Sequence, residues 1–159
     1  MGTLLGCMRE GRVLPWDYDD ADFAFLAEDT DRFLEAERAL LAAGFSRASR
    51  WQNNQGTTTE YALRRDGARF EFFTMTRHGD TFQYYLYGKR GGIWQELLCA
   101  VPAHGLAEIH FLERVWNKPD DHDAFLSAVY GDWRTPNPGY HYATDEKSVI
   151  ASYPRLVQP

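Results

Sequence analysis

The chain has 159 residues, a formal net charge of -6 at pH 7, and 44% hydrophobic, 15% aromatic and 25% charged residues. This profile predicts one folded domain with a real core and excludes a disordered segment, while the acidic balance argues against a nucleic-acid backbone as partner. Cys7 and Cys99 form no CxxC pair, no opening apolar run reads as a signal peptide, and no window reaches the roughly 18 apolar residues of a membrane span, so the expected setting is cytoplasmic.

In chain order, Met1 to Arg9 reads as a short apolar turn or helix start, broken by Gly11 and Pro15 ahead of an acidic stretch. Asp20-Ala21-Asp22-Phe23-Ala24-Phe25 alternates with period two. This predicts a strand with Asp20, Asp22 and Ala24 on one face and Phe23 and Phe25 on the other. A helix is expected from the Asp29-Thr30 cap through Phe33, Leu34, Leu40 and Leu41 to Gly44. Three strands follow, over Thr57 to Leu63, Arg69 to Thr76 and Thr81 to Tyr87, with turns at Asp66-Gly67 and His78-Gly79-Asp80. Ile109 to Trp116 is expected to be extended, and a second helix to run from about Asp121 to Gly131. The tail from Asp132, with Pro136, Pro138 and Gly139, reads as an irregular loop packed on the domain. The fold class is α+β, with a mixed or antiparallel sheet and a few flanking helices.

Asp17, Asp19, Asp20 and Asp22 crowd four carboxylates into six positions. On a solvated loop this is an acidic turn of little cost. Running into an aromatic strand, the acids repel one another, and a divalent cation relieves that repulsion. A strand pair at i and i+2 points both carboxylates the same way, which Asp20 and Asp22 satisfy. Glu71, between Phe70 and Phe72, is the candidate for a third acid on a neighbouring strand. The histidines and cysteines show no zinc spacing, so no structural zinc is expected.

Gly2-Thr3-Leu4-Leu5-Gly6-Cys7-Met8-Arg9, Val13-Leu14-Pro15-Trp16-Asp17 and Asp19-Asp20-Ala21-Asp22 resemble the LicD/fukutin family pattern, a GTLLG-x-x-R segment followed by a PWD-type acidic run. Tyr130-Gly131-Asp132-Trp133-Arg134-Thr135-Pro136 is similar to that family's YG-x-W-x-TP element. In the family pattern structure generally precedes the GTLLG-like segment, which here opens the chain. The resemblance implies a nucleotidyltransferase-like fold with a Gly-Thr turn, an Asp-x-Asp strand and a later acid. It also implies Mg²⁺- or Mn²⁺-dependent transfer of a phosphorylated alcohol, phosphocholine or a polyol phosphate, from a CDP-linked donor to a glycan or other hydroxyl. The acidic run is one residue longer than the family's usual spacing. Anchoring on Pro15-Trp16 selects Asp17 and Asp19, whereas the strand alternation selects Asp20 and Asp22. The expected catalytic and metal-binding acids are therefore Asp20, Asp22 and Glu71, with Asp17 and Asp19 as further metal candidates. Gly2, Thr3 and Arg9 are candidates for the donor phosphates, and Trp16, Tyr18, Arg134 and His141 for the substrate. Two alternatives stand beside this: a non-catalytic nucleotide-binding module of the same fold, and a nucleotidyltransferase using another NTP.

Overall fold

The computed structural model describes residues 1–156. Its elements run α1 (Gly2–Glu10), β1 (Asp20–Leu26), a 3₁₀ turn (Ala27–Asp29), α2 (Thr30–Ala42), β2 (Ser46–Gln52), β3 (Thr58–Arg65), β4 (Ala68–His78), β5 (Thr81–Arg90), β6 (Ile93–Pro102), β7 (Leu106–Phe111), β8 (Arg114–Pro119), α3 (His122–Tyr130), α4 (Tyr142–Asp145) and β9 (Val149–Pro154). Strands β2-β3-β4-β5-β6-β9 pair antiparallel in that order, and β1 joins β4 in parallel. The result is the mixed-sheet α+β architecture that the alternating segments lead one to expect.

β4 organises the sheet. Its first part lies between β3 and β1, while His78, Arg77 and Thr76 turn into a hairpin with β5. The β3–β4 turn uses Asp66 and Gly67, both at positive φ (51° and 87°), the twist a two-residue hairpin demands. Because side chains alternate, the β1–β4–β3 part has two unlike faces. On one, Phe23 stacks on Phe72 (5.3 Å between ring centres), and Phe33 of α2 packs on Phe25, Tyr61 and Phe72. The other face carries the acids and is covered by α1. The main core lies on that side of β5 and β6, where Tyr84, Leu86, Leu97, Cys99 and Val101 meet Phe125, Leu126 and Val129 of α3 and Leu5 of α1.

Both expected helices are present. Asp29 occupies the α2 cap position but directs its carboxylate to Arg32, and the cap of α3 is Asp121, which accepts the Ala124 N–H at 2.9 Å. Several local expectations are corrected. Gly2-Thr3 forms the first turn of α1 rather than a Gly-rich turn, since nothing interrupts the helical run to Glu10. Ile109 to Trp116 is no single extended segment: Leu112 and Glu113 at φ 49° and 59° fold it into the β7–β8 hairpin. The tail is not wholly irregular, for it contains α4 and β9. Gly88 makes the α4 contact with β5 possible, because a Cβ there would come within 2.5 Å of the Ala143 Cβ. No helix among the described residues is long and apolar enough to cross a membrane.

Candidate metal centre

The parallel register of β1 on β4 sets Asp20 beside Arg69 and Asp22 beside Glu71, and the antiparallel register of β3 sets Ala62 beside Glu71 and Glu60 beside Phe73. Asp20, Asp22, Glu60, Arg69 and Glu71 thus share the face opposite Phe23, Phe25 and Phe72, as the alternation of β1 requires. One carboxylate oxygen from each of Asp20, Asp22 and Glu71 lies within 4.8 Å of the others. Of the two candidate pairs, it is Asp20 and Asp22 that converge with Glu71, whereas Asp17 lines the cavity beside them and Asp19 is exposed.

α1 closes over this floor. Its Thr3 Oγ1 accepts the Asp22 backbone N–H at 3.0 Å, which ties the helix start to β1. The Met1 ammonium pairs with the Asp22 carboxylate. Asp17, brought in by the turn whose N–H bonds reach Leu14 and Asp17 carbonyls, lies so close to Gly2 that a Cβ there would come within 2.0 Å of its Oδ2. Gly2 thus lets the chain approach an acid; its contact is with a side chain of the floor.

A cavity of about 760 Å³ opens above the acids. Its floor includes Asp17, Asp20, Asp22, Glu60 and Glu71, with Arg69 and Arg9 as the arginines lining it. Arg69 donates from Nε to Glu71 Oε1 and from Nη2 to Ser49 Oγ at 3.0 Å. Arg9 donates to Glu10 and to the Trp133 carbonyl, and its Nε is buried without a hydrogen-bond partner. The far wall comes from the C-terminal segment, where Tyr130 packs on Tyr140 (4.9 Å) and Tyr140 Oη donates to Glu146 at 2.8 Å. One end is aromatic: Trp51 stacks on Tyr87 at 5.2 Å beside Trp94, and Tyr142 Oη donates to the Tyr87 carbonyl.

Three of the floor acids, Asp17, Asp20 and Glu60, are held in an unfavourable state. Burial, then the charges of Glu71, Asp22 and Asp17, pushes the Asp20 carboxyl up to about 7. Burial and Glu71 likewise push Glu60 up to about 8, with Arg69 too distant, at 3.9 Å, to compensate. Asp17 is raised by burial and by Asp22. Asp20 Oδ1 and Asp17 Oδ2 are buried with no hydrogen-bond partner. Converging carboxylate oxygens, with Asp20 Oδ1 unpartnered among them, are the donor set that a hard divalent cation takes, so the residues fit Mg²⁺ or Mn²⁺.

The other expected site residues divide. Trp16, 68% exposed, and His141 line the cavity; His141 also caps α4 through Nδ1. Tyr18, 77% exposed, is not in the cavity lining, and Asp19 is exposed, contributing instead a carbonyl to the Arg69 N–H at 2.7 Å. Arg134 also stays out of the lining, folded over the Trp133 ring and paired with Asp123 at 2.7 Å. Sequence inspection passed over Glu60, Arg69 and Glu146. For the first two a signal existed: Arg69 shares the parity of Glu71 on one strand, and Glu60 lies on the next. Glu146 had none, because only tertiary packing carries it to the cavity.

The family model described as LicD/FKTN/FKRP, nucleotidyltransferase domain, matches residues 1–103, more than half of the chain. That span holds every acid of the floor and both lining arginines, whereas Tyr130, Tyr140 and Glu146 lie outside it. Comparison with curated proteins and with solved structures gave no match.

Proposed function

Because the chain belongs to the LicD/FKTN/FKRP nucleotidyltransferase-domain family, we propose that it transfers a phosphorylated alcohol, phosphocholine or a polyol phosphate, from a CDP-linked donor to a glycan hydroxyl. The observation that carries this reading is the convergence of Asp20, Asp22 and Glu71 within 4.8 Å on the floor of a cavity large enough for a nucleotide.

Asp20, Asp22 and Glu71 would hold one or two Mg²⁺ or Mn²⁺ ions, with Asp17 next to them. Bound there, such an ion supplies charge neutralisation for the donor pyrophosphate and polarisation of phosphoryl oxygens. The chain's own groups do the rest. Arg69 and Arg9 are the lining guanidiniums, and guanidinium recognises phosphate through paired N–H donors. Gly2 and Thr3, at the start of α1, lie at the positive end of a helix dipole. The aromatic wall of Trp51, Tyr87 and Trp94, with the exposed Trp16, offers flat surfaces to a base or sugar. The acceptor oxygen attacks the alcohol-side phosphorus, the P–O bond to CMP breaks, and a carboxylate oxygen of the floor takes the hydroxyl proton. His141 at the rim contacts the substrate in this reading; Tyr18, Arg134 and Asp19 have no part in it.

The test is release of CMP from CDP-choline, CDP-ribitol and CDP-glycerol with Mg²⁺ or Mn²⁺. Turnover is expected with at least one donor, and Asp22→Asn should lower it on the order of a thousandfold. Folded protein that releases no CMP from any donor, or an Asp22→Asn variant as active as the parent, would overturn the proposal.

A further inference from the structure

A second cavity, of about 320 Å³, lies on the α2 side of the sheet and shares no lining residue with the acidic one. Thr59 and Thr74 reach it from the parity of Tyr61 and Phe72, Gln83 and Tyr85 from the side of β5 opposite the α3 core, and Thr30 from the start of α2. In a chain with 25% charged residues, its lining contains no Asp, Glu, Lys or Arg. It includes six threonines, of which Thr30, Thr59 and Thr74 already bond through their hydroxyls within the protein, together with the amides of Asn53, Gln55 and Gln83, the Tyr85 ring, Leu98 and the exposed His78.

Asn53 is built into this wall. It is only 4% exposed, and its Oδ1 accepts the N–H groups of Gln55 (3.1 Å) and Thr57 (2.9 Å). Two N–H donors fix which end of the amide is oxygen, so the Nδ2 group points the other way. That donor makes no hydrogen bond among the described residues and stays open to solvent, so it is free to serve a ligand. The side chains of Thr57, Thr76 and Gln83 also make no hydrogen bond among the described residues.

These observations select a ligand by its chemistry. With no cationic side chain the groove has nothing for a phosphate, and with no carboxylate nothing for a metal ion. Its polar walls do not suit a lipid chain. Hydroxyl and amide groups beside an aromatic ring and one aliphatic side chain match a ligand that carries hydroxyls around its edge and C–H groups on its face. We propose that this groove is a binding site for a neutral carbohydrate, separate from the acidic cavity and independent of metal and nucleotide.

The experiment is an amide ¹H–¹⁵N NMR titration of the full chain with maltohexaose, cellohexaose and N-acetylchitohexaose. At least one should give saturable shifts at millimolar concentration, confined to residues 53–59, 74–78 and 83–85. Thr76→Arg, at an exposed position, should weaken that binding by about tenfold or more, with melting midpoint and CMP release unchanged. Gln83→Ala serves as the second variant, with the same expectation, should the arginine perturb folding. The inference is overturned if no oligosaccharide gives saturable shifts, if the shifts centre on residues 17–22, or if a folded variant binds like the parent. CMP release is read in the same samples, so failure here and failure of the transfer reading are seen separately.

Discussion

Glu37 on α2 and the acids of the cavity floor are all drawn away from water, yet the protein provides for them in opposite ways. Glu37 is 2% exposed and receives Arg47 at both carboxylate oxygens (3.1 and 3.2 Å) and Arg50 at 2.7 Å. Burial alone would raise its carboxyl, but the two arginines outweigh burial and hold it below the ordinary range. Asp17, Asp20 and Glu60 have few partners, face one another, and are raised. A buried acid with its own arginines serves the fold. Buried acids left to repel one another weaken it, and they make sense as groups waiting for a cation.

Perturbing each side of the sheet in turn sharpens that contrast. The largest effect on folding belongs to the aromatic face: Phe33→Ala should cost about 3–5 kcal/mol in urea denaturation, because Phe25, Tyr61 and Phe72 lose their common neighbour. CMP release per folded molecule should survive it. Glu37→Gln is expected to cost less, about 1–2 kcal/mol, since Arg47 and Arg50 stay partly solvated when their acceptor charge is gone. On the floor the sign reverses. Asp20→Asn should raise the melting midpoint of the metal-free protein while abolishing CMP release; a lowered midpoint would mean that Asp20 serves the fold, as Glu37 does.

The same contrast predicts a slope with pH. Asp20 and Glu60 titrate near 7 and 8 in the folded chain, above the 3.8 and 4.5 of the free groups. The unfolded chain ionises first, so the metal-free protein should lose stability as pH rises from about 4 to about 8, then level off. Millimolar Mn²⁺ should flatten this slope, measured as melting midpoint against pH. Glu37, being lowered, acts oppositely: its contribution is present above about 4.5 and fades as pH falls further.

Much of the floor could be read from the chain because strands place side chains by parity. Asp20 and Asp22 alternate with Phe23 and Phe25, so the faces of β1 followed directly. Glu71 between two phenylalanines gave the face of β4. Other elements left no such trace. β2, Ser46–Gln52, is a polar edge strand without apolar alternation. β6 includes the unbroken run Leu97-Leu98-Cys99-Ala100-Val101, which a period-two test cannot tell from a helix segment. The far wall, with Tyr140 and Glu146, depends on Gly88 admitting α4 to the sheet, a contact distant in sequence. The second groove was invisible for the same reason: its threonines belong to separate strands and share no motif.

β4 is the strand on which the rest of the sheet depends, and that has a consequence for the order of assembly. Its pairing with β3 spans a tight turn, whereas β1 reaches it only by closing a loop that contains α2, β2 and β3. Loop-closure entropy makes the first contact early and the second late. Asp20 and Asp22 come from β1 and Glu71 from β4, so the three meet only in the late pairing. Their mutual repulsion is thus absent while the nucleus forms and falls on the final step, so substituting Asp20 should change the rate of unfolding more than the rate of folding.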